Sequence, residues 1–146
     1  MYMMQIGFTG TRHGMTIPQH EALVKIFLSN YKLRDEVVLH HGMCIGADLE
    51  AHRLAKIFDF GCVGHPPTDT SLMAEISDLN KRLPPKYYLD RNQDIVNDTS
   101  TLIATPKEFE EVRRSGTWAT IRYGARQKKH VVVINPAGYT SIYRCV

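Results

Sequence analysis

Arg114, Ser115, Gly116 and Thr117 form the stretch best suited to hold an anion. They offer two hydroxyls, a backbone with no side chain in the way, and a guanidinium beside them. Trp118, Ile121 and Ala125 recur at helical spacing just afterwards, so the stretch opens a helix. A helix start leaves backbone N–H groups unpaired at the positive end of the peptide dipole, which suits phosphate or carboxylate. The alternative is that Ser115 or Thr117 only caps the helix. Two more turns of this kind, Gly10-Thr11-Arg12 and Gly42 to Asp48, weigh against capping alone. Arg12 and Arg114 provide planar charged forks for phosphate oxygens, or surface ion pairs. Asp48 can accept from sugar hydroxyls or cap its own helix. Trp118, the only tryptophan, keeps the phase of Ile121 and Ala125, which favours core packing over stacking on a base.

The elements that must position these residues alternate. Apolar runs at Met3–Phe8, Val37–His40, Cys62–His65, Thr101–Thr105 and Val131–Ile134 predict strands. A helix after Pro18 carries Leu23, Ile26, Phe27 and Tyr31 on one face. A second carries Ala47, Ala51, Leu54, Ala55 and Phe58, and Gly61 is expected to end it. Asp90–Val96 predicts a third. From Thr68 to Leu89 the pattern weakens, with a short helix expected over Leu72, Ile76 and Leu79 behind Thr70 or Ser71. That excursion passes over the carboxyl edge of the sheet, as a lid or a plain connection. Pro136-Ala137-Gly138 closes the last clear strand. The expected fold class is therefore α/β, a Rossmann-like doubly wound, mostly parallel sheet with helices on both faces. In such a sheet every strand-to-helix loop emerges at one edge, which collects the three turns around a single crevice.

Composition bounds the remaining classes. The 146 residues suit one domain spanning 1–146, with 43% hydrophobic and 23% charged residues. A formal charge of +3 fits an anionic small ligand and is too weak to argue for nucleic acid. Cys44, Cys62 and Cys145 are odd in number and widely spaced, signalling neither disulfides nor zinc. His40 and His41 point to opposite strand faces, and His52 and His65 stand alone, so no metal site is expected. No cofactor is expected either. No apolar run reaches the length of a membrane span and no signal peptide is visible, which makes a reducing cytoplasmic setting the expectation.

Gly42-Met43-Cys44-Ile45-Gly46-Ala47-Asp48, followed by Ala51-His52 and Ala55, resembles the G-x-x-x-G-[AI]-D-x-x-A-H-x-x-A signature of the SLOG superfamily. That superfamily contains the DNA-processing protein A (Smf) proteins and the Lonely Guy phosphoribohydrolases. Arg91-Asn92 before Ile95, then Arg114-Ser115-Gly116-Thr117 and Thr120, is similar to the R-N-x-x-I and R-S-G-[ST]-x-x-T segments of the DNA-processing branch. The resemblance runs from Gly7 to about Gly138. It implies a crevice for nucleotides or nucleotide-derived ligands, built from Gly10, Thr11, Arg12, Gly42, Gly46, Asp48, Arg91, Asn92, Arg114, Ser115, Gly116 and Thr117. It also implies a homo-oligomer. The hydrolase branch carries P-G-G-x-G-T-x-x-E, and here Thr120 stands at the Glu position. Glu108, Glu110 and Glu111 are the carboxylates left nearby, with Glu108 and Glu111 the catalytic candidates. The DNA-processing proteins carry further domains, which makes nucleic acid an unlikely partner. The readings rank as a binding module for a nucleotide or NAD-derived molecule, then a nucleoside 5′-monophosphate N-glycosidase, then a DNA-binding recombination accessory protein.

Overall fold

A computed structural model describes residues 3–145. Seven strands form one sheet in the order β4-β3-β2-β1-β5-β6-β7. They are β1 (Met4–Gly10), β2 (Val37–His41), β3 (Gly61–Gly64), β4 (Lys81–Arg82), β5 (Thr101–Thr105), β6 (His130–Ile134) and β7 (Thr140–Ile142). All neighbouring pairs are parallel except β6 with β7. The helices are α1 (Ile17–Ser29), α2 (Ala47–Ile57), α3 (Tyr88–Asn97) and α4 (Gly116–Arg126). This is the expected mostly parallel Rossmann-like α/β fold.

Side-chain alternation divides the core between two faces. Ile6, Phe8, Leu39, Cys62 and Ile103 pack with Leu23 and Phe27 of α1 and Ala47, Ala51 and Ala55 of α2. Leu102, Ala104, Val131 and Val133 face the other way, against Ile95 and Val96 of α3 and Trp118 and Ile121 of α4. Trp118 is thus a core residue. The alanines of α2 let it lie close to the strands, and Thr16 with Gln19 closes a capping box at the start of α1. Among the described residues no helix is long and apolar enough to cross a membrane.

Local expectations fail where local rules compete. Tyr31 lies in a 3-10 segment, Tyr31–Glu36, because α1 stops at Ser29 with Asn30 as its C-cap. Gly61 begins β3, and the left-handed residue after α2 is Asp59, at φ 60°. The stretch holding Leu72, Ile76 and Leu79 is not helical. Ala74 and Ile76 instead pack on Met43, and backbone bonds from Ala74 to Met43 and from Ile45 to Leu72 tie the segment down. The edge strands β4 and β7, both exposed, have too few residues for a pattern to show.

Candidate functional site

The strand order decides where the loops go. From β1 the chain adds β2, β3 and β4 on one side, then returns through α3 to place β5 on the other. The loops after β1 and β5 therefore diverge at their carboxyl ends and leave a crevice between them. Thr11 marks the junction, its N–H donating to the Thr105 carbonyl at 3.2 Å. A cavity of about 530 Å³ opens there. Its lining includes Gly10, Thr11 and Arg12 from the first loop, Gly42 and Asp48 from the second, and Arg114, Ser115, Gly116 and Thr117 from the third. Arg91 and Asn92 of α3 complete the wall. Arg12, Asp48 and Gly116, far apart in sequence, thus share one cavity.

Gly46 is the exception. It lies outside that lining at φ +86°, where a Cβ would run into the Arg12 carbonyl. Its place is to let the first two loops pack together, fixed by Ala47 N–H donating to the Thr11 carbonyl at 3.0 Å.

The third loop presents donors. Ser115 is the N-cap of α4 and its Oγ accepts the Trp118 N–H at 3.2 Å. Gly116 and Thr117 keep first-turn N–H groups with no intrahelical partner. A Cβ on Gly116 would meet nothing within 4 Å, so the space before this backbone is open. Arg12 and Arg114 are exposed and, among the described residues, neither forms an ion pair.

The second loop is held from beneath. Asp48 Oδ2 accepts the N–H groups of Gly42 at 3.1 Å and Cys44 at 3.2 Å. It does not cap its own helix, since Gly46 occupies the N-cap of α2. Burial pushes the Asp48 carboxyl up to about 6, with the Arg91 guanidinium and the two backbone donors pulling the other way. Arg91 is itself buried. Its Nη1 donates to the Gly42 and His65 carbonyls, its Nη2 to Cys44 Sγ at 3.4 Å, and its Nε to Asn92 Oδ1 at 2.6 Å.

The carboxylates separate. Glu108 lines the cavity and accepts the Trp118 Nε1–H at 3.0 Å. Glu111 lies outside that lining, paired with Arg122 at 2.8 Å and with the Tyr143 hydroxyl at 2.7 Å. Those two partners hold its carboxyl below the usual range.

Sequence reasoning missed two histidine pairs. His41 Nδ1 accepts the Met43 N–H at 3.1 Å, which leaves its proton on Nε2, 3.0 Å from His52 Nδ1. His52 Nε2 then donates to Asp78 at 2.7 Å, giving a relay with one direction throughout. Burial pushes His41 down to about 3. On the other face His40 meets His65 at 2.8 Å, so His52 and His65 are not isolated. Burial lowers His40, with Asp98 raising it and Lys81 opposing, and brings His65 to about 4. His65 follows β3, and only the register of β3 on β2 brings the pair together. Lys107, another cavity cation, was visible as the only lysine in the loop after β5.

No protein-family profile and no curated protein matches the sequence. Solved structures do. The molybdenum cofactor binding protein of the phototrophic bacterium Rippkaea orientalis aligns with a TM-score of 0.71 at 19% identity, over 92% of this chain and 78% of that one. The molybdenum cofactor carrier protein of Chlamydomonas reinhardtii aligns at 0.63 and 20% identity, over 90% and 76%. DNA processing protein A of Streptococcus pneumoniae aligns at 0.65 and 16% identity, over 90% of this chain and 50% of that one.

Proposed function

We propose, for a chain that has the SLOG-type Rossmann-like fold, that the crevice between β1 and β5 binds a nucleotide or a nucleotide-derived molecule through its phosphate. The observation that carries this is the convergence of Arg12, Arg114 and the open start of α4 on one cavity. Two guanidinium groups that form no ion pair among the described residues, beside unpaired backbone donors, suit a phosphate. Asp48 and Asn92, on the same wall, offer acceptors for sugar hydroxyls. Two of the structural neighbours are named for binding or carrying the molybdenum cofactor, which supports a small molecule as the ligand class.

Thermal-shift screening with adenine and guanine nucleotides, cyclic dinucleotides and ADP-ribose tests this reading. A ligand at a hundredfold its dissociation constant should add about 2.7 kcal/mol of stability. If none of these shifts the melting temperature, or if the shift survives Arg12→Ala together with Arg114→Ala, the reading fails.

Glu108 favours a second reading, since it is a carboxylate in the cavity wall. A carboxylate beside an anomeric carbon can assist base–sugar cleavage. Release of free adenine from AMP, abolished in Glu108→Gln, would make the protein an N-glycosidase instead of a binding module.

A further inference from the structure

A second cavity, of about 790 Å³, opens beside Gln5 of β1, His40 of β2 and Val63 of β3. These residues face away from the α1 and α2 core, and none of the proposed nucleotide-binding residues lines this space. His40 and Asp98 line this space and His65 stands beside them outside the lining, each of the three offering one ligand atom within 4.8 Å of the other two. Both histidines are buried, while Asp98, the C-cap of α3, is exposed.

We propose that His40, His65 and Asp98 form a binding site for one divalent transition-metal ion, with a coordination position left open to the cavity. Two imidazoles and one carboxylate are a ligand set for zinc, cobalt or nickel rather than calcium or magnesium. The outer contacts already suit it. His40 Nε2 lies 2.6 Å from Gln5 Oε1 and donates its proton there, which leaves the Nδ1 lone pair directed at His65. At present His65 Nε2–H fills that lone pair, at 2.8 Å. An ion entering between the rings takes both nitrogens, and the His65 proton moves to its own Nδ1, so both rings stay neutral. Tetrahedral bonds of about 2.0 Å need the nitrogens about 3.3 Å apart, an opening of about half an ångström. Three protein ligands with the fourth place open to solvent is the arrangement of metal sites that activate water.

The test uses the full chain with Cys145→Ser as background, so that an exposed thiol cannot compete. After chelator treatment it is titrated with Co²⁺, followed by visible absorption and calorimetry. One Co²⁺ per chain is expected, with the intense visible bands of a low-coordinate site, displaced by one equivalent of Zn²⁺. His65→Gln and Asp98→Asn should each weaken binding by about tenfold or more. Asp98 is exposed, so its variant leaves the fold intact even if His65→Gln does not. The proposal is overturned by absence of stoichiometric uptake, or by uptake that Asp98→Asn leaves unchanged.

Discussion

Asp48 Oδ2 stands 3.1 Å from the amide nitrogen of Gly42 and accepts its proton, so a buried carboxyl in α2 shapes the loop that precedes its own helix. The Asp48 carboxyl is pushed up to about 6 from an ordinary value of 3.8. Well below pH 3.8 the folded and unfolded chains both hold this proton. Between those values the unfolded chain loses it and the folded chain keeps it. The contribution of Asp48 to stability therefore falls as pH rises through the window, and stays low above it. The stability of Asp48→Asn minus that of wild type should grow in the variant's favour from pH 4 to pH 7, by at most about 3 kcal/mol. Urea titrations at both pH values measure it, and a difference independent of pH would show that folding does not raise the Asp48 carboxyl.

Arg12 and Arg114 are exposed, so truncation leaves the fold alone. Arg12→Ala and Arg114→Ala should each keep the wild-type melting temperature without ligand. Each should lose about 10- to 100-fold in affinity for whichever nucleotide the screen selects, the range for a charge-assisted hydrogen bond. Calorimetry provides both the affinity and its salt dependence.

Gly46 carries a positive φ against the Arg12 backbone, which cannot give way as a flexible side chain would. Gly46→Ala should cost more than about 2 kcal/mol in urea unfolding, because strain and displacement of the first loop add together. Gly116→Ala makes the contrast. Its Cβ would enter open space, so stability should hold within about 1 kcal/mol while ligand binding weakens.

Trp118 is the only tryptophan, and its indole N–H is held by a carboxylate in the cavity wall. Ligand binding should therefore change its fluorescence, and Glu108→Gln should shift the emission of the free protein. Glu111→Ala should cost at most about 1 kcal/mol, since its ion pair with Arg122 lies largely at the surface.

The sheet was legible because buried parallel strands such as Leu102–Thr105 and Val131–Ile134 read as apolar runs. Two strands and a crossover then leave little choice of geometry. That constraint is also why the three turns meet. What escaped was set by register between strands far apart in sequence. His65 gains His40 as a neighbour through the pairing of β3 on β2, and no spacing rule within either segment encodes it. Lys81 and Arg82 form a strand only because Val63 and Gly64 offer an edge. Arg91 is a candidate through the resemblance of Arg91-Asn92 to a family segment, and the carbonyls of Gly42 and His65 that its guanidinium holds lie too far off in sequence for any spacing rule to name them.

That guanidinium joins the carbonyl of Gly42, at the rim of the crevice between β1 and β5, to the carbonyl of His65, whose ring belongs to the opposite side of the sheet. A planar group gripping both cannot follow one without dragging the other. Removing that one side chain would leave two buried carbonyls, one beneath each segment, without their shared donor.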